Sequence, residues 1–75
     1  YTAEQIKDYV NKNAGLKLGK IESDDLSFKE QGIDSLDASA ILFSVEELTG
    51  ISIPDEDVDG LQSINKIVVY VNERV

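Results

Sequence analysis

Ser35, with Asp34 before it and Asp37 two residues beyond, is the group in this 75-residue chain whose types and spacing have the clearest chemical use. Asp34 has the short carboxylate of a helix N-cap, which accepts a bond from a free amide of the first turn. Asp37 falls where negative charge suits the helix dipole. Ser35 is then the first helical residue, with its hydroxyl held at the exposed, electropositive end of a helix. Unpaired backbone amides and the dipole stabilise added negative charge there, which favours a phosphate ester on this hydroxyl. The plainer alternative is that Asp34 and Ser35 only start a helix, as such residues commonly do. Residue types and spacing alone leave both readings open.

Composition removes most other chemistry. The chain has no Cys and no His, so it lacks a protein thiol, the commonest general base and the commonest metal ligand. A chain this short forms one domain, taken as residues 1–75, with about 3–5 kcal/mol from its core and little room for a large active-site cleft. No apolar run approaches a membrane span and no signal-like segment opens the chain, which points to a cytoplasmic protein that does not insert into membranes. Asp55-Glu56-Asp57-Val58-Asp59-Gly60 matches the opening of a calcium loop, but its twelfth position is Lys66, where a bidentate Glu must close the shell. This stretch reads as a charged helix start, with weak divalent binding by clustered acids left open.

Net charge is −8, and all of the excess lies in the middle of the chain. From Glu22 to Asp59 there are twelve acids against a single base, Lys29, while both flanks are slightly basic. Such a surface repels nucleic acid and anionic lipid and speeds encounter with basic protein patches. A merely solvated face is the alternative.

The elements that must position Ser35 are helical. Thr2 and Gln5 form a capping-box pair, and Ala3, Ile6, Tyr9 and Val10 share one side of a first helix that ends near Gly15. From Gly15 to Gln31 no period persists. Leu16, Leu18, Ile21, Leu26 and Phe28 recur as single anchors, so this is a long loop pinned to a core. A second helix runs from Ser35 to about Thr49, closed by Gly50, with Ala38, Ile41, Leu42, Val45 and Leu48 as its core stripe. Leu36, Ala40, Phe43 and Glu47 fall together on the other side, which Asp37, Ser44 and Glu47 are expected to keep wet. That second stripe is either covered by the loop or a contact strip for a protein partner. Pro54 opens a short acidic turn, and Ser63 caps a last helix with Ile64, Ile67, Val68 and Val71 on one face. The β-branched run at 67–71 has no partner strand elsewhere, so it too is assigned to a helix.

Gly32-Ile33-Asp34-Ser35-Leu36-Asp37, then Glu46-Glu47, then Ile53-Pro54-Asp55-Glu56 and the closing Ser63-Ile64 helix resemble the acyl carrier proteins over nearly the whole chain. The resemblance implies an all-α four-helix bundle with a short third helix and a long loop between helices one and two. It implies 4′-phosphopantetheine on Ser35 through a phosphodiester, with Asp34 and Leu36 flanking the attachment point. The cofactor then supplies the sulfur that the chain lacks, and the protein is a carrier of acyl thioesters rather than an enzyme. The implied partners are a phosphopantetheinyl transferase and acyltransferases, ketosynthases or acyl-loading enzymes with basic patches, which read Asp37, Ala40, Phe43, Glu46 and Glu47 on a monomer.

Departures from the family pattern leave the pathway open. Ser39 and Ala40 stand where Val and Glu are common, and Leu48 and Thr49 where Glu and Phe are common, so the partner strip is more apolar than usual. Fatty-acid, polyketide and related specialised lipid synthesis are all compatible. Peptidyl carriers are the near alternative, although they usually have Gly-Gly where this chain has Gly32-Ile33. An acidic helical adaptor without a prosthetic group is the alternative from another class. The loop with Leu26 and Phe28 is expected to be weakly tied, so that an acyl chain opens a cavity under it and touches Ile41, Val45, Ile53 and Ile67.

Overall fold

The three longer helices begin on short-range side-chain caps, which recur as the sequence predicts them, while the short helix that follows Pro54 has none. In a computed structural model, which describes residues 1–16 and 21–75, helix α1 spans Ala3–Asn13, α2 Ser35–Thr49, α3 Asp55–Val58 and α4 Ile64–Asn72. The Thr2 hydroxyl accepts from the Gln5 amide and the Gln5 side chain accepts from the Thr2 amide, which completes the capping box of α1. Ser63 accepts from the Lys66 amide at 3.2 Å and starts α4. Gly50, at φ 75°, ends α2 in the left-handed region that side chains rarely adopt. The β-branched run of the last helix is helical, and no strand occurs among the described residues.

The core lies where α1 packs against both α2 and α4. Ile6 and Val10 of α1, Ile41 and Val45 of α2, and Ile64, Ile67 and Val71 of α4 are wholly buried in it. Val58 and Ile53 pack on the edge. Tyr70 donates to Asp57 at 2.7 Å and ties α4 to α3, a bond that holds the phenol pKa above its ordinary value. That bond also commits one carboxylate of the calcium-like stretch. Among the described residues no helix is long and apolar enough to cross a membrane.

The described part of the loop between α1 and α2 is bonded to α1, to α4 and to the segment before α4, against the expectation of a weak tie. Asn11 grips the Ile21 backbone at both its amide and its carbonyl, at 2.7 and 3.2 Å. Lys7 pairs with Asp24 at 2.8 Å, and the Asn65 amide donates to the Asp24 carbonyl at 3.0 Å. Phe28 is wholly buried, and its amide donates to the Gln62 carbonyl at 2.7 Å. Leu16 and Ile21 are buried as expected, while Leu26 is 46% exposed and anchors nothing. The reason is local. Leu26 precedes a single turn in which Ser27 and Glu30 cap each other reciprocally, and that turn rotates Phe28 inward in place of Leu26. Leu18 lies outside the described residues.

Candidate functional site

The chain reaches Ser35 through that same turn. The Ile33 amide returns to the Phe28 carbonyl at 2.8 Å, and Gly32, at φ 83°, makes the reversal that this bond requires. Ile33 is buried, Asp34 and Ser35 emerge, and the helix begins. Asp34 accepts from the Asp37 amide at 2.9 Å through its side chain and from the Ala38 amide at 2.9 Å through its carbonyl. The cap thus satisfies the inner amides of the first turn and leaves the amides of Ser35 and Leu36 outermost. The Ser35 hydroxyl is exposed beside them, at the positive end of a 15-residue helix.

That placement fits a bulky phosphodiester. Ser35 is exposed, its surroundings stabilise added negative charge, and it lines a groove of about 320 Å³ together with Lys29, Ile33, Asp34, Ala38 and Gln62. The other serines differ. Ser44 and Ser63 are buried, Ser23 and Ser27 are half-buried and accept backbone bonds, and Ser39 and Ser52 are exposed but do not begin a helix.

The residues expected to meet a partner separate into two groups. Leu36 is 72% exposed and Phe43 62% exposed, with half-buried Ala40 between them along the helix and exposed Glu47 one turn beyond Phe43. The described part of the loop therefore leaves this second stripe open. Asp37 and Ser44, in contrast, do not keep that face wet, because they are buried at 8% and 1% exposure. At about 100° per residue both lie on the flank of the stripe beside Ile41 and Leu48, and the packed helices extend over that flank. Glu46 is half-buried and accepts from the Ile53 amide at 2.8 Å, which closes the link after α2. Its role within the chain is structural.

For cargo, Ile41, Val45 and Ile67 have no exposed surface, so an acyl chain reaches them only by displacing core contacts. Ile53 differs, because it lines a groove of about 190 Å³ together with Leu42, Phe43 and Val58, rimmed by Glu46 and Asp55. Sequence reasoning missed Lys29 and Gln62 as neighbours of Ser35. The signal available was the isolation of Lys29 among acids; nothing in the sequence marks Gln62.

Comparison with known proteins agrees with this geometry. A profile described as the phosphopantetheine attachment site matches residues 4–71. The chain is similar to an acyl carrier protein of Zymomonas mobilis, 32% identical over 72 residues that make up 96% of this chain and 92% of that protein. It is similar to an acyl carrier protein of Akkermansia muciniphila at 29% identity, over 93% of this chain and 88% of that protein. A mitochondrial acyl carrier protein of Dictyostelium discoideum is 44% identical over 55 residues, 73% of this chain but only 46% of that relative's length. With the profile and full-length relatives both aligned across the serine that opens α2, the chain belongs to the acyl carrier proteins, carriers rather than enzymes, whose attachment site holds 4′-phosphopantetheine covalently.

Proposed function

We propose that Ser35 is the attachment point and that residues 1–75 work as one carrier domain, holding acyl groups as thioesters for fatty-acid, polyketide or related lipid synthesis. The observation that carries this reading is the exposed Ser35 hydroxyl at the capped start of α2, beside a groove. In the loading step the hydroxyl gives up its proton, its oxygen bonds to the phosphorus bearing pantetheine in coenzyme A, and adenosine 3′,5′-bisphosphate leaves. A phosphopantetheinyl transferase with magnesium supplies the catalysis. Peptide mapping after such loading should find the whole mass increment on the peptide containing Ser35. An increment on another serine, or none, overturns the assignment.

Partners are read from the exposed stripe. Glu47 steers a basic patch, and Leu36 and Phe43 supply the desolvated contact that holds it. Charge of this kind acts on encounter and weakens with salt. Glu47→Lys should therefore slow association with an acyl-loading enzyme and flatten its salt dependence. Phe43→Ala should leave association nearly unchanged and speed dissociation by about five- to thirtyfold, the range for losing a central apolar anchor. Stopped-flow kinetics separate the two, and an unchanged dissociation rate for Phe43→Ala removes Phe43 from the interface.

A further inference from the structure

The chemistry beside Ser35 is not uniformly acidic. Lys29 is the one base between Glu22 and Asp59, against twelve acids. A cation so placed normally neutralises a neighbouring carboxylate, yet the ion pairs among the described residues join Lys7 to Asp24 and Lys12 to Asp8. Lys29 instead lines the groove onto which Ser35 opens, with buried Ile33 and Ala38 and half-buried Gln62. These residues meet because the Phe28 amide is bonded to the Gln62 carbonyl, which holds the turn bearing Lys29 against the segment before α4.

We infer that this groove is the resting seat of the prosthetic arm and that Lys29 is the positioning residue that pairs with its phosphodiester, an inference that rests on Ser35 carrying the arm. A phosphodiester on Ser35 adds negative charge beside Asp34, whose carboxylate must stay to cap α2. An ammonium at the same groove offsets that charge, and lysine binds phosphate as a mobile point charge. The next segment of the arm carries two geminal methyl groups, and Ile33 and Ala38 provide apolar surface within its reach. Amides follow along the arm. The Gln62 side chain donates to the Val58 carbonyl at 2.7 Å, while its amide oxygen accepts no bond among the described residues and is available to an amide N–H. At about 320 Å³ the groove is at the small end of the roughly 300–1,000 Å³ that holds small ligands. Tethering makes up for weak contacts, because an arm attached to a groove-lining atom binds intramolecularly at an effective concentration in the millimolar range.

The test uses apo and holo protein, with intact mass establishing one complete arm on Ser35 before anything else is measured. Nuclear Overhauser contacts from the geminal methyls to the Ile33 and Ala38 side chains are expected in the holo form, with an apo-to-holo amide shift at Gln62. Gln62 is the diagnostic position when its shift is read together with the methyl contacts, since it is remote from Ser35 in sequence yet lines the same groove. Lys29→Glu should reduce the docked fraction about two- to fivefold, the scale of an exposed ion pair, read as shrinkage of the Gln62 shift and of the contacts. Lys29→Arg should restore both. Lys29 is exposed, and equal apo melting temperatures verify that the variants fold. A fully loaded protein without these contacts and without a Gln62 shift overturns the groove as the seat. Contacts that persist unchanged in Lys29→Glu overturn the role of Lys29. A missing mass increment overturns the Ser35 reading, and this inference with it.

Discussion

Ser35→Ala should gain no mass at all when incubated with a phosphopantetheinyl transferase, coenzyme A and magnesium, while the wild-type chain is converted completely. The effect is all-or-none because the remaining serines fail on placement rather than on chemistry. Ser39 is the demanding control, since it is exposed and on the same helix, one turn beyond Ser35. Its amide lies inside the helix ladder, and no unpaired first-turn amides surround its hydroxyl. Ser39→Ala should accordingly be loaded like the wild type. The loss in Ser35→Ala is not a folding effect: the side chain is exposed, alanine suits a helix, and such surface changes stay within about 0.5 kcal/mol. Matching melting temperatures with opposite mass results support the assignment. A full mass increment on Ser35→Ala would show that the transferase does not read this helix start.

Phe28→Ala should unfold much of the protein at ambient temperature. Phe28 is wholly buried, and truncating such a side chain typically costs about 3–5 kcal/mol, comparable to the whole net stability of about 3–5 kcal/mol expected of so small a core. Alanine keeps the backbone groups of this residue, but the packing that seats their bonds is lost. Phe28 receives the Ile33 amide on its carbonyl and donates its own amide to Gln62, so the same residue fixes the turn before Ser35 and the position of the segment before α4. Leu26→Ala, two residues earlier and 46% exposed, should change stability by less than about 0.5 kcal/mol. Thermal melts of the two variants followed by circular dichroism give the comparison. Similar melting temperatures for both would mean that the loop contributes little to the core.

Helix positions were legible because their signals are short-range. Thr2 with Gln5, Asp34 with Asp37, and Ser63 with Lys66 are partners three residues apart, and Gly50 ends α2 through its own backbone freedom, so no distant residue decides them. Ser35, which we propose as the attachment point, was legible as a helix start for the same reason, since its setting is local and its motif is contiguous. Burial beyond the central stripe was not legible, because it depends on how far neighbouring elements reach across a helix. Asp37 and Ser44 lie on the flank of a stripe whose width the period alone does not specify, and only the packed helices decided that they are covered. Leu26 and Phe28 are equally apolar to a sequence reader, and a one-turn cap between Ser27 and Glu30 selected which of them enters the core. Glu46 carries a charge that suits a partner surface, but the chain itself uses that carboxylate to hold Ile53. The meeting of Lys29, Ser35 and Gln62 required the tertiary structure outright, because one backbone bond from Phe28 to Gln62 joins segments that share no periodicity, cap or motif.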